Sequence, residues 1–169
     1  MACHLAALAS LVRCGLDGEM RCLNKAICEL LTYVAKEGSV PFDLSEEQLE
    51  HAELELGAKF PQEYREAMKI DNGGEASTEE NDWVFYPIRD TSDRKRLSRT
   101  CNHVITETES CRGFGNFPEN AIAIAGNGLG DQMVLVREGS SIKPNVYLWL
   151  HETGGLQELA GSFNAVQKL

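Results

Sequence analysis

The sequence predicts an α+β fold, with a central, mainly antiparallel sheet flanked by N-terminal helices and a C-terminal helix. Three observations predict it. Helical spacing and helix caps are concentrated before residue 74, short runs of β-branched, aromatic or small residues separated by glycine turns fill residues 83–151, and Leu156, Leu159, Phe163 and Val166 repeat at helical spacing near the end. Local hairpins between consecutive strands make the sheet antiparallel.

Ile27, Leu30, Leu31 and Val34 form an i, i+3, i+4, i+7 stripe, which predicts a helix over residues 20–37; residues 1–16 add another. Ser45 with Gln48 three residues on is a capping box, Glu46 and Glu47 favour the first turn, and Leu49, Ala52 and Leu56 supply a core face up to Gly57. Pro61 opens the next helix where its missing donor costs nothing; Phe60, Tyr64, Ala67 and Met68 face inward, and Asn72, Gly73 and Gly74 form a turn that stops it.

Glu75 to Asp82 reads as a polar, acidic loop, and Trp83 to Ile88 as a strand ending near Pro87. Residues 90–112, with a basic cluster of Arg94, Lys95, Arg96 and Arg99, suit a helix, a strand or a long excursion. Ala121 to Ala125 is a small-residue strand. A hairpin turn, Gly126-Asn127-Gly128-Leu129-Gly130-Asp131, leads to a strand from Gln132 to Arg137; a polar turn over Glu138 to Asn145 precedes a third, Val146 to His151. In that hairpin Gly128 and Gly130 supply backbone freedom and Asp131 accepts hydrogen bonds from turn amides. Trp83 and Trp149, each among apolar strand neighbours, and Phe163 in the closing helix are expected core aromatics. Residues 1–20 read as an N-terminal helical extension and residues 21–169 as a single domain.

At 169 residues and 43% hydrophobic content the chain suits one packed domain. No apolar run approaches the roughly 20 residues of a membrane span, and Leu5 to Val12 lacks the basic flank of an export signal, so a cytoplasmic location is expected. Six cysteines are even in number, yet a chain of this size needs no staples, and reduced thiols are expected.

The net charge of −10 is localised: residues 41–90 hold 14 acidic and 4 basic residues, whereas the flanking segments are each balanced. A dense negative field repels nucleic acid and speeds encounter with basic partners, although an acidic surface also serves solubility alone. Glu46, Glu50, Glu79, Glu80 and Asp82 are the candidate partner-binding residues.

Motifs for catalysis are absent. The glycine-rich turn leads into a strand, where phosphate loops feed a helix, and Asp131 repels a phosphate. His4, His51, His103 and His151 have no partner at motif spacing, and no GxSxG elbow or EF-hand spacing occurs. A zinc site needs Cys101, His103 and Cys111 plus a distant fourth ligand, a spacing that matches no zinc motif. No catalytic residue, metal ligand or cofactor is therefore assigned.

The chain resembles the SUKH superfamily, which contains Smi/Knr-like cell-wall regulators and bacterial immunity proteins. The matching pieces are Ala52 to Gly57, Phe60-Pro61-x-x-Tyr64, Asn72-Gly73-Gly74, Trp83, Phe117-Pro118 before Ala121 to Ala125, Gly130-Asp131, Val146-Tyr147-x-Trp149 with His151-Glu152, and Ser162-Phe163. They stand in the family's order across about residues 24–169. Phe60 replaces the more usual Leu, residues 94–112 match no family segment, and the first 20 residues extend beyond the usual start. The resemblance implies a non-enzymatic binding module. Its bacterial members neutralise toxins, many of them nucleases or deaminases, and its fungal members regulate through protein contacts. A basic toxin domain is the partner the acidic segment best suits, and no direct contact with nucleic acid or membrane is expected.

Overall fold

A computed structural model of the chain describes residues 43–78 and 81–166. Its element order is α1 (Glu46–Leu56), α2 (Gln62–Ile70), β1 (Glu75–Ser77), β2 (Asp82–Phe85), α3 (Arg94–Arg99), α4 (Val104–Arg112), β3 (Ala121–Gly126), β4 (Gln132–Glu138), β5 (Ser141–Trp149), β6 (Leu156–Ala160) and α5 (Phe163–Val166). The six strands form one antiparallel meander in the order β1-β2-β3-β4-β5-β6. The fold is α+β. The helices expected over residues 1–16 and 20–37 lie outside the described residues.

Alternation along the strands builds two apolar layers. Ile122, Ile124, Met133, Leu135 and Val146 join the α1 and α2 residues Leu49, Ala52, Tyr64 and Met68 in the larger core, closed by Phe163. On the opposite face Ala121, Ala123, Val134 and Trp149 pack with Cys111 of α4 and Phe117. The small side chains at 121 and 123 explain how α4 lies close against β3: Thr108 Oγ1 accepts from the Ala123 N–H at 3.0 Å. Trp83 and Trp149 are buried, and Phe117 meets Trp149 edge to face at 4.9 Å between centroids.

Three segments differ from the sequence expectation, and in a fourth, residues 90–112, the structure selects helix among the alternatives the sequence left open. Glu75 to Ser77 is a strand and not a loop: it pairs Ala76 with Trp83 and owes its conformation to that partner. Residues 94–99 and 104–112 are helices; Asp93 caps the first by accepting from Lys95 N and Arg96 N, and Val104, Ile105, Thr108 and Cys111 are the buried face of the second. The strand β5 begins at Ser141, so the expected turn over 138–145 is shorter. It accommodates Pro144 where the ladder to β4 shifts register and needs no donor. The predicted closing helix is divided. Leu156 to Ala160 is an edge strand paired to β5, with Leu156 opposite Trp149, and only Phe163–Val166 is helical.

Cys111 is a buried thiol. Cys101 is disulfide-bonded, contrary to the reduced thiols that composition predicts.

Candidate protein-binding surface

The acidic segment begins at α1, whose orientation follows from its inward face. Ser45 Oγ accepts from Gln48 N at 3.4 Å, and Gly57 caps the other end at φ +66°, a conformation that suits glycine. The Gln48 side chain does not return to the helix start as the capping box predicts. It accepts from Thr91 N and Oγ1, both at 3.3 Å, which moors the loop after β2 on α1. With Leu49, Ala52 and Glu53 buried, the helical period turns Glu47, Glu50, His51 and Leu54 outward.

Not every carboxylate of this segment is free to meet a partner. Glu46 pairs with Arg65 and Lys69 of α2. Glu53 is buried; it also pairs with Arg65, and its Oε1 accepts from Phe60 N at 2.9 Å. These two acids, with two of the segment's four basic residues, join α1 to α2. Outside that cluster Glu47, Glu50 and Glu55 are exposed and make no ion pair among the described residues. Asp82 is exposed at the start of β2 and accepts from Ser77 Oγ at 2.7 Å. No described hydrogen bond or ion pair joins it to α1; Glu79 and Glu80 lie outside the described residues.

The turn residues have separate structural partners. Asn72 brackets Ile88, its Oδ1 accepting from Ile88 N at 2.7 Å and its Nδ2 donating to Ile88 O at 2.8 Å, as a strand neighbour would. Gly73 and Gly74 have φ of +120° and +97°. At the other end of the sheet Gly128 and Gly130 also have positive φ. Asp131 Oδ1 accepts from both the backbone N–H and Nδ1 of His151.

Of the residues weighed for a metal, Cys111 packs on the second sheet face. His103 precedes α4 and is buried. Its Nε2 lies 3.0 Å from Thr106 Oγ1, and its Nδ1 has no partner among the described residues. Burial, and then the nearby Arg89 charge, push its pKa down to about 4. Among the described residues no three His, Cys, Asp or Glu side chains converge on a point where a metal ion fits.

Sequence reasoning passed over Glu47, Glu55 and Leu54. Their signal was available: each falls off the Leu49, Ala52, Leu56 stripe, and a leucine off the apolar stripe of an acidic helix is an outward leucine.

A helix-backed antiparallel meander that turns a charged helix face to solvent defines the class: an α+β domain. Residues 43–166 match the SMI1 / KNR4 family (SUKH-1), and the chain belongs to that family. Membership supports a non-catalytic, protein-binding module. A search of curated proteins finds no match to the chain. Among the described residues no helix is long and apolar enough to cross a membrane.

Proposed function

We propose that this chain is an immunity protein that neutralises a basic toxin domain by occlusion, without catalysis and in the cytoplasm. The observation that carries the reading is the outward face of α1, where Glu47, Glu50 and Glu55 stand on a rigid element with no compensating ion pair among the described residues. A toxin that grips nucleic acid needs a basic active-site face, and an acidic helix competes for it by charge complementarity. Asp82 is a further contact on the β1–β2 hairpin, and Glu79 and Glu80 belong to the same acidic stretch of sequence.

Family membership supports the protein-binding part of this reading, and the charge distribution supports the choice of partner. Co-expression tests it. A toxin domain encoded immediately beside this chain's gene is expressed in host cells with and without it. Survival only in its presence supports the proposal; equal killing, or a neighbourhood with no toxin gene, favours a regulatory partner of the Smi/Knr kind.

A further inference from the structure

Leu54 is 82% exposed, the largest exposure of any large apolar side chain among the described residues. Single exposed leucines are common on protein surfaces. This one differs in its setting. It sits within a helix whose backbone is secured at both ends, by Ser45 at the start and by Gly57 and the Arg137 side chain, which donates to Leu56 O at 2.9 Å, at the finish. Glu50 lies one turn before it and Glu47 two turns before it on the same face, with His51 three residues before it and Glu55 next along the helix, all exposed, so one rigid apolar group stands on a face that carries carboxylates. The other strongly exposed apolar groups, Ile70 and Leu129, occupy a helix end and a turn.

We infer that the outward face of α1 is a docking surface on which Leu54 is the anchor, and that its occupant is a folded protein surface carrying an apolar socket rimmed by Lys or Arg. Charge complementarity selects this occupant. A second copy of the chain would bring α1 carboxylates against α1 carboxylates, and a nucleic acid would be repelled. The division of labour is that of central anchor and polar rim: the carboxylates set encounter rate and orientation, and the leucine, desolvated in the socket, sets the lifetime of the complex. The inference rests on the proposed function only in taking the partner to be basic.

The test is an NMR titration of the isotope-labelled full chain with two cationic probes of equal charge: an amphipathic Leu/Lys helix with one apolar stripe, and poly-lysine. The Leu/Lys helix is expected to shift the amides of residues 47–55. Leu54→Ala is expected to weaken that probe about tenfold and leave poly-lysine unchanged, whereas Ile70→Ala changes neither. Combined Glu47→Gln, Glu50→Gln and Glu55→Gln substitution weakens both. Shifts centred elsewhere, or a Leu54→Ala variant that binds the Leu/Lys helix as its parent does, overturn the inference. The two readings fail separately: an unprotected cell with the Leu54 effect intact sinks only the toxin proposal, and a protected cell without that effect sinks only the anchor.

Discussion

Asp131 and His151 join two chain reversals through one carboxylate oxygen: Asp131 Oδ1 lies 3.0 Å from the His151 backbone nitrogen and 2.9 Å from its Nδ1. The pair ties the β3–β4 turn to the end of β5, and Asn116 holds the same residue from the other side by donating to His151 O at 3.1 Å. Burial alone would raise the Asp131 carboxyl, but the hydrogen bonds from His151 and Asn127 outweigh it and hold the carboxyl below its ordinary range. A carboxyl depressed in the folded state contributes stability that is complete above its unfolded value near 3.8 and is lost as pH falls through the folded value. Asp131→Ala is expected to cost about 1 to 3 kcal/mol at neutral pH and to flatten the acid limb of the unfolding curve, measured by urea denaturation between pH 7 and 2.

Gly130 makes that contact possible. Its φ is +112°, and a Cβ there would stand 2.8 Å from His151 Cγ. Gly130→Val is expected to lose roughly 1 to 3 kcal/mol, while Gly128→Ala, with open space around its Cβ position, loses less. Equal thermal shifts for the two variants would show that the His151 ring contact contributes nothing.

His103 brings a second pH dependence at higher pH. Its pKa is pushed down to about 4 by burial, reinforced by Arg89, so the unfolded chain takes up a proton from about pH 6.5 downward before the folded one does. Stability is therefore expected to fall as pH drops from 6.5 to 4, by about 2 to 4 kcal/mol at the lower end. His103→Gln, which cannot titrate, should remove this slope while leaving the Asp131 limb below pH 4 in place.

Tyr64 is fully buried, and its hydroxyl has no hydrogen-bond partner among the described residues. The ring contributes through Phe60, 4.9 Å away, and through Phe163, 5.0 Å away at 87°. Tyr64→Phe keeps the ring and removes the unpaired hydroxyl, so stability is expected to hold or to rise by about 1 kcal/mol. Tyr64→Ala should lose about 3 to 5 kcal/mol by opening a cavity. Chemical denaturation of both variants separates packing from polarity at one site.

Glu46 and Glu50 lie one turn apart and have different roles. Glu46→Lys places a third cation beside Arg65 and Lys69 and is expected to lose roughly 1 kcal/mol. Glu50→Lys breaks no ion pair among the described residues and should leave the unfolding midpoint unchanged while slowing association with a basic partner. Stopped-flow rates at two ionic strengths, beside melting curves, distinguish the two.

Local order was legible in the residues. Ser45, Gly57, Pro61 and the Asn72-Gly73-Gly74 turn mark α1 and α2 because caps and breakers act within a few residues of themselves. The α+β class and the antiparallel sense of the sheet followed from the order of the segments, and family membership from eight short motifs in sequence. What lay beyond sequence reach depended on a partner distant along the chain. Leu156 and Leu159 have the spacing of a helix, but β5 offers an unpaired ladder, and pairing Leu156 with Trp149 makes them a strand. Glu75 to Ser77 carries no strand pattern and becomes one only against Trp83 and Val84. Among the acids, composition determined that a charge of −10 sits in one stretch; only tertiary packing decided that Glu46 and Glu53 pair with Arg65 while Glu47, Glu50 and Glu55 have no ion pair among the described residues. The reason is that charge is a property of each residue, whereas its compensation is a property of the distance to another, and that distance is set by how α1 packs on α2.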